Sequence, residues 1–248
     1  MIYKTTLQLW EEIGINNFWG DRLDVRFYLI NFLKEKKIDT LLDISSNYGI
    51  ILNGASSRLG IGLDYSMEWL SKSKKYFPVL KNIQASSEFL PFRDKSVDAV
   101  VLAHSLPGWD YRMDSYLNKN QEIASKKLFE DIHRILKPGG KLYITTVNGN
   151  HIYYRDKKKL TLDKVLSYVN GLYYIQEIVG WNPLPVLANL IPYTLLRNAP
   201  PYIKRLMFFP SVKMYSFIPG IWWMILALSR FKGLNKHCRH LFFICQKI

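Results

Sequence analysis

Two segments in the middle of the chain, each a polar turn that leads into an apolar run, constrain its fold more than any other feature. The first is Leu90–Asp98, which contains a proline and runs straight into the apolar stretch Ala99–Ala103. The second is Arg134–Gly140, which ends in Pro-Gly-Gly and runs into Lys141–Thr146. A Pro-Gly-Gly sequence predicts the end of a helix and a reversal of the chain. Both segments therefore predict a turn followed by a buried strand.

Predicted strands and helices alternate on both sides of these two segments. The strands predicted from short apolar runs are Thr40–Ile44, Leu59–Asp64, Asn82–Ala85, Val97–His104, Lys141–Val147, Tyr173–Val179 and His240–Lys247. The helices predicted from apolar residues at helical spacing are Leu23–Lys37, Tyr65–Tyr76, Ser125–Leu136 and Leu162–Val169. Such alternation predicts an α/β fold, a parallel sheet with helices covering both faces. We further predict seven strands, the last of them antiparallel to its neighbours.

The 248 residues are predicted to form one domain, 1–248, with two additions. Residues 1–22 contain aromatic residues among acids and are predicted to be an N-terminal helix or lid. Residues 181–239 separate the last two predicted strands, and a connection of this length is too long for an ordinary loop. They are therefore predicted to form a helical insert, or cap, between strands six and seven.

Most of the excess positive charge of the chain lies in its last third. The formal net charge is +14, and no Asp or Glu follows Glu177, whereas nine Lys and Arg residues do. This pattern predicts attraction to a polyanion, either nucleic acid or an anionic lipid surface, with general basicity as the alternative. Met214–Ser229 is almost wholly apolar, but its length falls short of the roughly 20 residues of a spanning helix. The pattern favours a segment that lies on a membrane over one that crosses it.

Cysteine content and the N-terminal sequence indicate the compartment. Cys238 and Cys245 lie along one predicted strand, which argues against a disulfide between them. The first residues lack the charged and then apolar layout of a signal peptide. We therefore expect a cytoplasmic protein, with peripheral attachment to a membrane as an alternative.

The ends of the first two predicted strands extend the two central segments into a family resemblance. Residues 41–49 are Leu-Leu-Asp-Ile-Ser-Ser-Asn-Tyr-Gly, and residues 61–66 are Ile-Gly-Leu-Asp-Tyr-Ser. With Leu90–Asp98 and Arg134–Gly140, they resemble the class I S-adenosylmethionine-dependent methyltransferases, of the methyltransferase type 11-like kind. The resemblance covers about residues 38–180. It implies a Rossmann-like, mostly parallel seven-stranded sheet and S-adenosyl-L-methionine as the cofactor.

The resemblance also implies which residues contact the methionine part of the cofactor. The family has an acid followed by three alternating glycines, which let the backbone approach the cofactor closely. Here Asp43 is the acid and Gly49 is the third glycine, whereas Ser45 and Asn47 occupy the first two glycine positions. Asn tolerates left-handed backbone angles better than Ser, so strain of order 1 kcal/mol is expected at Ser45.

The second and third predicted strands supply the remaining cofactor contacts that the resemblance implies. Asp64 matches the acid that accepts hydrogen bonds from both ribose hydroxyls, and Tyr65 is expected near the adenine. Capping of the next helix is the alternative role for Asp64. The family has an acid where Ser86 stands, and a serine hydroxyl accepts a bond from the adenine amino group more weakly. The backbone around Ser87 is a further contact to the adenine edge.

Candidate catalytic residues follow the fourth and fifth predicted strands. His104 is expected to face the place where cofactor and acceptor meet, both as a cofactor contact and as a candidate base. A histidine that is merely bonded to backbone is the alternative. Asp110, Tyr111 and Asp114 in the next loop are equally well explained as a plain surface loop, and His151 is a weaker candidate.

A metal site is not predicted. His237, Cys238 and His240 are close in sequence, but alternation along a strand places His237 on the opposite face from the other two. One ion could not collect all three side chains easily.

The predicted function is methyl transfer to a small-molecule or lipid-linked acceptor, with oxygen as the expected methylated atom. The aromatic and basic residues of the insert, residues 181–239, favour a lipid acceptor or an anionic membrane surface, with an ordinary buried lid as the alternative. A non-catalytic scaffold is a second hypothesis, favoured by the departures at Ser45, Asn47 and Ser86. A nucleic-acid methyltransferase is a third hypothesis, favoured by charge alone. The sequence does not predict the oligomeric state.

Overall fold

The computed structural model describes residues 20–106, 119–150, 160–181, 238 and 240–248. Only residues 20–22 of the predicted N-terminal lid are described, and they form the first turn of a helix. Nearly all of the predicted insert lies outside the described residues. So do the candidate residues Asp110, Tyr111, Asp114, His151 and His237.

The described residues form five helices and seven strands. The helices are α1 (Gly20–Lys34), α2 (Ile50–Gly54), α3 (Met67–Tyr76), α4 (Lys119–Ile135) and α5 (Leu162–Val169). The strands are β1 (Ile38–Ile44), β2 (Ser57–Asp64), β3 (Lys81–Gln84), β4 (Val97–Ala103), β5 (Leu136–Val147), β6 (Tyr173–Trp181) and β7 (His240–Lys247). Each strand overlaps its predicted position, whereas the short helix α2 was not predicted.

The seven strands form one sheet in the order β3-β2-β1-β4-β5-β7-β6. Neighbouring strands from β3 to β5 are parallel, and β7 lies antiparallel between β5 and β6. The predicted seven-stranded, mostly parallel sheet with an antiparallel last strand is therefore confirmed. The strand order reverses between β1 and β4, and ligands in open α/β sheets bind at the carboxyl ends of the strands beside such a point.

Helices cover both faces of the sheet because successive strand residues point in opposite directions. On one face, Leu42 and Val100 pack in a cluster with Phe129 of α4 and Val165 of α5. On the other face, Leu41 packs with α1 and α2. The strands are thus apolar on both sides, as in other sheets of parallel strands that are buried between helices.

Arg134 joins the two central segments of the sequence. Its Nη1 donates to the carbonyl oxygen of Phe92 at 2.8 Å and to Asp94 Oδ1 at 2.9 Å, and its Nη2 donates to the carbonyl oxygen of Leu90 at 3.2 Å. The bonds fix the turn before β4 against the C-terminal end of α4. The two segments therefore form one structural unit.

The helix before Pro-Gly-Gly ends within one residue of its predicted end, but the Pro-Gly-Gly segment lies in a strand and not in a separate turn. Helix α4 ends at Ile135, and β5 already begins at Leu136. The Pro-Gly-Gly residues lie inside β5, where the pairing of β4 with β5 shifts register between Val97 and Ala99. Gly139 has φ 71° there, and a Cβ on Gly140 would lie 2.8 Å from the carbonyl oxygen of Lys137. The glycines are required by a bulge in the strand.

Candidate functional site

A cleft opens at the carboxyl ends of β1 and β4, where the strand order reverses. The free space between its walls, open solvent included, is about 410 Å³. Its lining includes Arg26, Asp43, Ser45, Asn47 and Ala103. They come from α1, from the end of β1 with the loop that follows it, and from the end of β4. The cleft therefore lies where the fold alone predicts a ligand site.

The loop after β1 has left-handed backbone angles at alternate residues. The φ angles of Ser45, Asn47 and Gly49 are 61°, 51° and 77°. These are the three positions at which the sequence pattern calls for glycine, so the loop keeps the glycine-type conformation with two other residues. The Asn47 side chain donates from Nδ2 to the carbonyl oxygen of Ser45 at 3.0 Å, which supports the strained turn.

Gly49 is required at its position by close packing as well as by its backbone angle. A Cβ there would lie 2.7 Å from Leu80 Cδ1 and 2.9 Å from Ser73 Oγ. A larger residue would push α2 away from α3. The loop therefore combines a fixed glycine with two substituted positions.

Asp64, the last residue of β2, is held by two backbone amides and is 3% exposed. Its Oδ2 accepts a hydrogen bond from the Asn47 amide at 3.0 Å, and its Oδ1 accepts one from the Ser66 amide at 3.0 Å. The cap of α3 is Ser66, whose Oγ accepts from the Trp69 amide at 3.4 Å. Each carboxylate oxygen of Asp64 keeps acceptor capacity for a further donor. The geometry orients this carboxylate and links it to the loop after β1.

Asp43 is a buried carboxyl group, 1% exposed, whose charge is only partly compensated. Burial raises the pKa of Asp43 to about 7; nearby Arg26 lowers it, and the charge of Asp64 raises it further. Burial also lowers the pKa of Arg26, an effect that Asp43 opposes. Asp43 Oδ1 has no hydrogen-bond partner among the described residues. A buried acceptor of this kind is costly unless a ligand satisfies it.

The residues predicted to contact the adenine lie on the exposed side of the same edge. Tyr65 is 77% exposed, and its carbonyl oxygen accepts a bond from Gln84 Nε2 at 3.1 Å. Ser86 is exposed, and its Oγ accepts a bond from the Glu88 amide at 3.2 Å. Ser87 is half-buried in the same turn. The Ser86 hydroxyl is thus engaged locally, but keeps a hydrogen to donate and a second lone pair.

His104 directly follows β4 and is 3% exposed. Its backbone is left-handed, with φ 56°, and its amide donates to the carbonyl oxygen of Thr145 at 2.8 Å. Its ring lies 5.2 Å, centroid to centroid, from the ring of His240 at the start of β7. The structure therefore places His104 at the carboxyl edge, next to Ala103, which lines the cleft.

Sequence reasoning missed two residues of this region, Arg26 and His240. Arg26 reaches the cleft from α1, and His240 arrives from the last strand. The available signal was the position of His240 as the first residue of an antiparallel strand, which brings it to the edge where the parallel strands end. Among the described residues, no group of three or more His, Cys, Asp or Glu side chains could hold a metal.

Comparisons with known proteins agree with this geometry. Residues 42–144 match the family described as "Methyltransferase domain". Over 127 residues, the chain is 28% identical to malonyl-[acyl-carrier protein] O-methyltransferase of Marinomonas sp. (strain MWYL1), covering 48% of this chain and 42% of that protein. Over 135 residues, it is 25% identical to demethylmenaquinone methyltransferase of Chlorobaculum tepidum, covering 53% of this chain and 50% of that protein. The chain thus spans half or less of the length of these two relatives.

A solved structure extends the likeness to nearly the whole chain. An S-adenosylmethionine-dependent methyltransferase from Archaeoglobus fulgidus superimposes with a TM-score of 0.57, at 15% identity, over 96% of this chain and 100% of that one. At that identity the likeness concerns the fold.

Proposed function

We propose, on the premise that this chain belongs to the class I S-adenosylmethionine-dependent methyltransferases, that it transfers the methyl group of S-adenosylmethionine to a small-molecule or lipid-linked acceptor. The family match covers residues 42–144, which run from the end of β1 through β2, β3 and β4 into most of β5. The observation that carries the proposal is the Asp64 carboxylate, which two backbone amides hold beside a left-handed loop.

Asp64 fits the ribose of this cofactor. A ribose offers two neighbouring hydroxyl donors, and both oxygens of the Asp64 carboxylate have acceptor capacity left. Because the amides of Asn47 and Ser66 already fix the carboxylate, little side-chain entropy would be lost on binding.

Arg26 and Asp43 fit the amino-acid end of the cofactor. That end carries a carboxylate and an ammonium group, which are complementary to a guanidinium and a carboxyl group. Asp43 Oδ1, without a partner among the described residues, is an acceptor that the ammonium would satisfy. Ser45 and Gly49 would bring their backbone close to the same end, with Tyr65, Ser86 and Ser87 on the adenine side.

Methyl transfer requires the protein to align the two reactants and to provide one proton acceptor. The bound cofactor supplies an electrophilic methyl group on a sulfonium, and methyl transfer depends mainly on alignment and the exclusion of water. If the acceptor is a hydroxyl, its proton must leave, and His104 at the carboxyl edge is the residue we assign to accept it. Oxygen is therefore the methylated atom that we propose.

The acceptor class rests on the basic and aromatic insert, residues 181–239. Its composition suits an amphipathic, lipid-linked acceptor and an anionic membrane surface, and the whole protein would then be cytoplasmic and peripheral to the membrane. Within the described part of the chain, no helix has the length and apolarity needed to cross a membrane. Flotation with anionic and neutral liposomes, at low and high salt, tests the attachment. If the protein floats with neither kind of liposome, the proposed acceptor is limited to soluble molecules.

A non-catalytic scaffold is the second candidate function, because Ser45, Asn47 and Ser86 replace residues that favour cofactor binding. Calorimetry with S-adenosylmethionine and S-adenosylhomocysteine separates the two candidates. Binding of both, followed by transfer of a radiolabelled methyl group into the lipid or small-molecule fraction of a cell extract, supports the enzyme. Absence of binding refutes it, and label in nucleic acid alone would refute the acceptor class.

A further inference from the structure

A second buried histidine contacts His104 at the carboxyl edge of the sheet. His240 is the first residue of β7 and is fully buried. Its ring centroid lies 5.2 Å from that of His104, with the two ring planes inclined at 53°. The two residues are far apart in sequence, so the contact exists only because β7 runs antiparallel to the rest of the sheet.

The conformation of His104 depends on support from its surroundings. Its φ of 56° is rare for a residue with a side chain. The bond from its amide to the carbonyl oxygen of Thr145 fixes the backbone. That bond acts on the backbone and not on the two side-chain torsions, so the orientation of the imidazole must come from contacts of the ring itself. The ring of His240 supplies such a contact.

His240 is well suited to support another side chain, because its own position is rigid. It pairs with Val147 of β5 on one side and with Trp181 of β6 on the other. Two residues earlier, the carbonyl oxygen of Cys238 accepts a bond from Asn148 Nδ2 at 2.8 Å. The entry into β7 is thus tied to the end of β5.

We propose that His240 is a positioning residue for the reaction, which holds the imidazole of His104 in the orientation needed to accept the acceptor's proton. The proposal rests on the proposed function, in which His104 is that proton acceptor. A base works only within hydrogen-bond reach of the proton it takes, and a misplacement of 1 Å can cost roughly 100-fold in rate. His240 itself need not touch either substrate.

The first test needs no acceptor. The full chain is labelled with ¹³C-histidine and loaded with S-adenosylhomocysteine, and the His104 ring signal is assigned by its loss in His104→Gln. We expect His240→Ala to shift or broaden that signal, whereas His240→Phe, which keeps a ring, leaves it single. His133→Gln is the matched control. It removes a histidine ring of helix α4 that contacts a different aromatic residue, Tyr173. A His104 signal that is the same in wild type and His240→Ala overturns the proposal.

The second test measures transfer to the acceptor fraction that the wild type methylates. We expect His240→Ala to lower kcat about 10- to 100-fold, with KM and the S-adenosylhomocysteine Kd within about threefold of wild type. His240→Phe should recover most of the rate. An unchanged kcat in His240→Ala refutes the positioning role. The role is also refuted if His240→Ala and His240→Phe lose kcat and S-adenosylhomocysteine affinity to the same extent. Wild-type protein that methylates nothing refutes the proposed function instead, and the ring signals still decide whether His240 orients His104.

Discussion

The buried carboxyl group of Asp43 should make the protein less stable as the pH rises. Its pKa is about 7 in the folded protein, against 3.8 for an ordinary Asp. Between these values, the folded state binds a proton that the unfolded state has released, so the free energy of unfolding falls with increasing pH. Each pKa unit corresponds to about 1.4 kcal/mol, which gives roughly 4 kcal/mol over the whole range.

Asp43→Asn removes this pH-dependent contribution. The free energy of unfolding of the variant, relative to wild type, should therefore increase by about 3 kcal/mol between pH 5 and pH 8. Arg26 stays protonated across this range and adds no slope of its own. Urea unfolding followed by circular dichroism at each pH unit measures the difference directly.

Asp39→Asn is the matched control. Asp39 lies on the same strand, but its carboxylate is exposed and forms a 3.4 Å ion pair with Arg58. Its removal deletes an acid without changing a buried group, so the stability difference should stay nearly constant with pH. Parallel stability curves for wild type and Asp43→Asn would refute the reasoning.

Four further predictions concern the cofactor loop and the frame that supports it. Asp64→Ala should weaken S-adenosylmethionine binding by about 1.5–3 kcal/mol in calorimetry, and unchanged affinity in a folded variant would contradict the ribose assignment. Ser86→Asp should bind the cofactor equally or more tightly, so a large loss would exclude adenine from that position. Ser45→Gly should raise the free energy of unfolding by up to about 1 kcal/mol, whereas Ser167→Gly, in helix α5, should lower it, as chemical denaturation of both will show. Arg134→Met should destabilise by about 1–3 kcal/mol in the same assay, since two backbone carbonyls lose their donor; wild-type stability would show that water replaces it.

The sequence predicted elements well where a local signal marks their ends. Leu162–Val169 was predicted to its exact bounds, and Thr161 caps it by accepting a bond from the Lys164 amide at 3.3 Å. Helix α2 was missed because its five residues are too short to show helical periodicity. The start of β5 was missed because its bulge places Pro-Gly-Gly inside a strand.

For the candidate site, the sequence indicated the residues that share a motif and missed those that do not. Asp43, Asp64 and the loop between β1 and α2 follow from local patterns at strand ends. Arg26 and His240 reach the same edge from α1 and β7, and no local pattern marks them. The position of Arg26 depends on helix packing, which the tertiary structure fixes. For His240 the predicted antiparallel direction of the last strand was the available signal, but the pairing of β7 beside β5 was needed to bring it next to His104.

The location of β7 between β5 and β6 imposes an order on the folding of the nascent chain. Among the strands that the structure describes, β6 pairs with β7 alone, so it cannot take its place in this sheet until residues 240–247 have left the ribosome. Synthesis of the intervening residues 182–239 takes roughly 3 to 12 s at 5–20 residues per second. During that delay β5 and β6 lack the strand that lies between them in the folded sheet, and unpaired strand edges are sites of aggregation. The sheet is therefore completed late, and a chaperone that shields these two strands would act in that interval.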